Sequence, residues 1–194
     1  MRKGLLLLLI VGCTLPALAG EQEVLFGGGV KHGGYYAPTI SLTQMGDDFG
    51  VIVGSRFGWI INHRFVVGAG SYNLVGKLNP DEPLDAIQKY YKVEYSGLDL
   101  EYIFAPHRLV HISVHSLLGA GTVEDRSDFV DFDEEDDYFF VVEPGVNVTL
   151  NIHRFIRASL FADYRVVSDV DLLPLSDSDL NGLHAGLALQ FGIF

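Results

Sequence analysis

Apolar and polar positions alternate with period two along most of the chain, the signature of strands whose two faces meet different surroundings. In 49–61 one parity reads Phe49, Val51, Val53, Ser55, Phe57, Trp59, Ile61, and the other Gly50, Ile52, Gly54, Arg56, Gly58, Ile60. The stretch 138–151 repeats this, with Tyr138, Phe140, Val142, Val146, Val148 and Leu150 opposite Glu143, Gly145, Asn147 and Thr149. In 155–167 the apolar row from Ile156 to Val166 opposes Arg157, Ser159, Asp163 and Arg165. The pattern predicts eight strands, at 24–45, 49–61, 65–77, 89–104, 109–123, 138–151, 155–168 and 182–194. In the fourth, Tyr91, Val93 and Tyr95 lie on one parity and Leu98, Leu100, Tyr102 and Phe104 on the other. A β-bulge at Ser96–Gly97 is expected to restore a single apolar face.

The second parity is rich in glycine and carries charges of both signs, which suits the crowded inside of a narrow barrel better than an open, solvated face. The expected inward ion-paired network comprises Arg56, Lys92, Glu94, Asp99, Glu101, Glu143, Arg157, Asp163 and Arg165. Buried charges need partners. The strand-seven arginines are therefore expected to take the carboxylates of strands four and six.

The connections differ at the two ends. Asn62-His63-Arg64, Pro106-His107-Arg108 and Ile152-His153-Arg154 are short links, each with a His-Arg pair. The other connections, 46–48, 79–87, 124–137 and 169–181, hold 18 of the 25 acidic residues. Short turns at one end and longer loops at the other are the layout of an outer-membrane barrel, with both termini on the short-turn, periplasmic side. By the same reading Trp59, Tyr102, Phe104 and Phe191 belong near the periplasmic interface, and Tyr36, Phe49, Tyr91 and Phe140 near the outer one.

Composition narrows the picture. The formal charge is −12 over 194 residues, with pI about 4.8, which argues against nucleic acid as a partner. Cys13 is the only cysteine, so disulfide scaffolds and cysteine zinc sites are excluded. The one long apolar stretch is N-terminal. Arg2-Lys3, the apolar run 4–12 and Ala17-Leu18-Ala19 form an export signal, dividing the chain into a signal peptide at 1–19 and a barrel domain at 20–194. Lipidation at Cys13 is the alternative, although Ile10-Val11-Gly12 lacks the usual Leu and Ala or Ser before the cysteine.

With this layout the chain resembles the small OmpA-like and Ail-like outer-membrane barrels of diderm bacteria. The fold class is thus all-β: an eight-stranded antiparallel up-and-down transmembrane β-barrel in the outer membrane. The segment from His184 through Gly186 and Leu189 to Phe191 resembles the C-terminal assembly signal of such barrels, although three residues follow the aromatic. Phe57–Asn62 and Val142–Asn147 resemble segments of a family of such barrels to which no activity attaches. The resemblance implies three kinds of partner: outer-membrane lipid, lipopolysaccharide and the barrel-assembly machinery through the last strand.

Candidate chemistry is sparse. His111-Ile112-Ser113, with Glu124 and Asp125 further on, resembles the His-x-Ser pair of outer-membrane lipid A deacylases. His111 is expected near the periplasmic rim, with Glu124 at the far end of the strand, and hydrogen bonding in the lumen accounts for both His111 and Ser113. Asp177, Asp179 and Asn181 match the first half of a calcium loop, but Ala188 occupies the place of its bidentate glutamate. Asp131 and Asp133 supply further carboxylates, so divalent cations at the acidic loops are a possible partner. Gly27–Gly34 matches no nucleotide fingerprint, and no cofactor is expected. The expected function is a non-enzymatic outer-membrane barrel with acidic extracellular loops and a structural or surface-interaction role. A narrow solute channel and a lipid A-modifying hydrolase are the alternatives.

Overall fold

A computed structural model describes residues 29–45, 48–75, 89–127, 136–169 and 177–194. The expected signal at 1–19, Cys13, and the acidic residues Asp131 and Asp133 lie outside the described residues. The barrel is formed by Lys31–Phe194.

The strands are β1 (His32–Met45), β2 (Asp48–Ile61), β3 (Phe65–Val75), β4 (Lys89–Phe104), β5 (Val110–Ser127), β6 (Asp136–His153), β7 (Ile156–Ser168) and β8 (Gly182–Ile193), with a short helix α1 (Asp177–Leu180) before β8. Each strand pairs antiparallel with the next, and β8 closes on β1, giving a closed up-and-down barrel. Closure removes both sheet edges, so the scarcity of edge-guarding lysine is no liability.

The register sets the geometry. A row of paired residues runs Gly33, Ile60, Val66, Glu101, His115, Gly145, Asp163, His184 and returns to β1 at Thr43. One circuit thus climbs 43 − 33 = 10 residues. With a rise of ~3.3 Å per residue and ~4.8 Å between strands, that shear tilts the strands by about 41° and gives a backbone radius of about 8 Å. Side chains fill a barrel this narrow.

The outward parity is mainly apolar from the short-turn end to about 25 Å above it at a tilt-corrected ~2.5 Å per residue, interrupted by the neighbouring Ser55, Ser71 and Ser96 on β2–β4. Ile40, Phe57, Leu98, Ile112, Val146, Leu160 and Leu187 are all exposed on it. Trp59, Tyr102, Phe104 and Phe191 lie toward the short-turn end. Tyr36 does not lie toward the loops as expected: β1 begins at His32 instead of at 24, so Tyr36 stands close to the short-turn end and pairs with Phe57 and Phe191.

The expected bulge in β4 is absent. Register runs unbroken through Ser96–Gly97 on both sides, so Val93 and Tyr95 point inward and are buried, while Lys92 and Glu94 point outward. The reason is depth. Glu94 and Lys92 stand about 27 and 32 Å above the short-turn end, beyond the apolar band, where outward charges meet water and a bulge would only lose ladder hydrogen bonds. An irregularity does occur at the short-turn end of β6–β7, between Asn151 and His153.

Candidate functional site in the barrel lumen

The inward side chains form three zones. Toward the short turns lie Tyr35, Ala37, Ile60, Val66 and Ile103, with Phe194 packed against them. Toward the loops lie Ile52, Tyr72, Tyr95, Leu117, Phe139 and others, closed over by Leu180 of α1. Between and among them sit the charges. Inward glycines clear space where these side chains converge. A Cβ at Gly58 would lie 2.4 Å from the Tyr35 ring, and one at Gly145 would lie 1.9 Å from Asp163 Oδ1.

Asp163 is the hub of the network. Arg56 Nη2 donates to its Oδ2 at 3.2 Å, and His115 Nε2 meets its Oδ1 at 2.8 Å. The other His115 nitrogen faces Asp99 Oδ1 at 3.4 Å, so both ring nitrogens look at carboxylates. Arg56 also donates to the Tyr72 hydroxyl at 2.6 Å and to Asn147 Oδ1 at 3.4 Å, with its guanidinium 4.7 Å from the Phe161 ring centroid. Asn147 continues the chain to Glu101 at 3.1 Å and to Ser113 at 3.0 Å. Glu101 in turn accepts from the Ser113 and Tyr35 hydroxyls.

A second group lies nearer the loops. Glu143 accepts from the Tyr95 hydroxyl at 2.8 Å and has Arg165 Nη1 at 3.9 Å. Arg165 otherwise donates to Leu180 O at 2.7 Å and to Thr43 at 2.9 Å, which ties β7 to α1 and β1. The Ser41 hydroxyl lies 2.5 Å from His184 Nε2 and 3.2 Å from Ile52 O, which joins β1 to β8 and β2. His184 Nδ1 then faces Glu143 and Asp163 at 3.7 and 3.8 Å without a hydrogen-bond partner.

Among the described residues Glu143, Asp163 and His184 form the one trio with metal-ligand spacing. Each carboxylate already has an arginine within 4 Å, so the protein supplies the counter-charge itself. The trio is best described as part of the ion-paired network.

Seven of the nine expected network residues face inward: Arg56, Asp99, Glu101, Glu143, Arg157, Asp163 and Arg165. Lys92 and Glu94 are corrections. They pair with each other on the outer wall at 2.6 Å, and Lys92 also meets Glu124 at 3.6 Å. The expected pairing of strand-seven arginines with the carboxylates of strands four and six is found at Arg165, 3.9 Å from Glu143 of β6, while Asp163 is held by Arg56 of β2 and Arg157 stacks on Phe194 at 3.8 Å. Sequence reasoning missed His115 and His184 as network members, although both lie on the inward parity.

The His-x-Ser pair is not arranged as a dyad. Ser113 is hydrogen-bonded to Glu101, and the side-chain contact of His111 is Asn151 at 3.4 Å. The calcium-loop segment is a helical turn at Asp177–Leu180, and Asn181 Oδ1 accepts from Val167 N at 2.6 Å, which docks the turn on β7. The Asp179 side chain lies outside the described residues.

No protein-family model and no curated protein matches the sequence. Solved structures do match. The chain superposes on Neisserial surface protein A at TM-score 0.56 and 11% identity, over 86% of this chain and 99% of that one. It matches the N-terminal β-barrel domain of Pseudomonas aeruginosa OprF at 0.55 and 9%, over 85% and 100%. It matches Ail, the attachment invasion locus protein of Yersinia pestis, crystallised with the heparin analogue sucrose octasulfate, at 0.54 and 14%, over 84% and 98%. At these identities the likeness is one of fold, and the fold is that of the small eight-stranded outer-membrane β-barrels.

Proposed function

We propose that this protein is an exported, non-enzymatic outer-membrane barrel that presents acidic loops at the cell surface and conducts no solute through its lumen. One observation carries the reading: a buried ion-paired layer, with Asp163 2% and Arg56 4% exposed, crosses the lumen between two apolar zones. Charges so enclosed and mutually bonded brace the wall. They line no continuous aqueous path.

The outward apolar band supports placement in lipid, and the fold shared with outer-membrane barrels supports that membrane in particular. An export signal at 1–19 and insertion through the last strand by the barrel-assembly machinery belong to the same proposal. The acidic segments at 79–87, 124–137 and 169–181 supply the surface-interaction role. Their charge suits divalent cations or a basic partner, with Asp131, Asp133 and Asp177 among the carboxylates on offer. Catalysis is not proposed, because Ser113 and His111 are engaged with different partners.

Planar-bilayer recording tests the proposal. The wild type is expected to be nearly silent, and Arg56→Ala or Arg165→Ala to leak. Steady wild-type conductance would replace this reading with the channel.

A further inference from the structure

The three His-Arg turns play no part in the lumen network, yet the structure builds them into one assembly. Asn62 and His63 both adopt positive φ, 52° and 61°, in a tight turn in which Arg64 N donates to Ile61 O at 3.1 Å. Backbone left-handedness at two successive positions is the conformation that a two-residue hairpin needs, and asparagine tolerates it well.

The turns then interlock around the rim. Asn62 N donates to Lys31 O at 2.8 Å, and Ile103 N to Arg64 O at 2.7 Å. Asn151 N donates to Leu109 O at 2.8 Å, and Gly192 N to Phe155 O at 3.0 Å. The Asn151 side chain adds a bond to Arg108 O at 2.6 Å. Each turn is thereby fixed to the next strand pair, and the rim forms a continuous, braced ring.

The charge of this ring has one sign. The stretches 29–34, 60–66, 103–112, 150–157 and 189–194 contain no Asp or Glu, but hold Lys31, Arg64, Arg108, Arg154 and Arg157 together with several histidines. Lys31, Arg64, Arg108 and Arg154 are exposed. Their mutual field is felt at His63. Burial first, then the neighbouring Lys31, His107 and Arg157, lower its affinity for a proton below that of an ordinary histidine.

The position of the cations identifies what they face. Arg64 Nη1 donates to the hydroxyl of outward Tyr102 at 3.4 Å, and the Arg154 guanidinium lies 4.5 Å from the ring centroid of outward Phe155. Tyr102 in turn packs edge-on against Phe65 and Phe104, and His32 stacks on Trp59. The cations thus sit directly below the aromatic girdle and on its outer side. In a bilayer that is the depth of the lipid headgroups, not of the aqueous compartment.

We propose that this braced cationic collar binds the phosphate headgroups of anionic phospholipids in the periplasmic leaflet, fixing the depth of the barrel. The inference rests on the membrane-spanning reading above, and the acidic loops at the other end keep the interaction one-sided. Arginine suits it, since its planar fork meets phosphate oxygens two at a time.

The test measures association of spin-labelled phosphatidylglycerol and phosphatidylcholine with the purified chain refolded in phosphatidylcholine vesicles, with heat-dependent gel migration to verify folding. Phosphatidylglycerol is expected to be preferred several-fold. The preference is expected to fall to about one in 0.5 M NaCl, where the Debye length is only ~4 Å, and in Arg64→Gln/Arg108→Gln/Arg154→Gln. Glu94→Gln, at the opposite end, is expected to leave it unchanged. Should the triple variant fail to fold, Arg154→Gln alone, with the salt series on the wild type, decides the matter. Equal association of both lipids with the folded wild type would overturn the collar, as would a preference that survives loss of the arginines. Failure of the wild type to fold into any vesicle would instead overturn the membrane reading beneath it.

Discussion

Replacing Asp163 by Asn tests the lumen network at its hub. The carboxylate is 1% exposed, receives Arg56 at 3.2 Å and His115 at 2.8 Å, and stands in a space cleared by Gly145. Asparagine keeps the shape and removes the charge, so Arg56 retains only neutral acceptors, on Tyr72, Asn147 and the new amide. At an effective dielectric constant of 20, two unit charges at that distance attract by about 5 kcal/mol. Stranding one member of a buried pair typically costs about 3–5 kcal/mol, and we expect Asp163→Asn to fall in that range. Equilibrium urea unfolding from vesicles, followed by the emission of the single tryptophan, reads the loss. Adding Arg56→Met removes the stranded cation, so the double variant should be less destabilised than the sum of the singles by at least about 1 kcal/mol. A loss below about 1 kcal/mol for Asp163→Asn, or strict additivity in the double variant, would refute the network as a structural brace.

Two further outcomes follow from the wall and the rim. Val146 is an outward residue near mid-height, so Val146→Arg should cost about 2–4 kcal/mol in vesicle refolding, and an unaffected variant would remove this face from lipid. His63 should titrate by NMR below an ordinary histidine, and Lys31→Gln should raise its pKa. Because its folded-state affinity for a proton is lowered, the unfolded chain takes that proton first. The contribution of His63 to stability is therefore complete above about pH 6.5 and declines as pH falls toward its folded-state value.

Much of the barrel was legible because alternation with period two reports directly which side of a strand faces which medium. The strand count and seven of the nine inward charges follow from that parity, and the unequal ends from the lengths and charge of the connections. What parity does not report is height. Tyr36 was placed at the wrong end, and Lys92 and Glu94 on the wrong side. Tyr36 lies low because β1 begins only at His32, and Lys92 and Glu94 face outward because β4 continues beyond the apolar slab. Parity also does not choose partners. Arg56 and Asp163 are 107 residues apart, and they meet only because a ten-residue shear brings their positions to facing walls. His115 and His184 were hidden for the same reason. An inward histidine becomes a network member only when the register sets carboxylates beside it.

Trp59 tests the central claim that the barrel spans a bilayer with this face outward. It is the only tryptophan, 51% exposed on the outward wall near the short turns, and stacked on His32. The measurement is its fluorescence in the folded chain refolded in vesicles of phosphatidylcholine brominated along the acyl chains, against unbrominated vesicles. The account predicts strong quenching by the bromines. Unquenched emission from a chain whose gel migration shows it to be folded would contradict it.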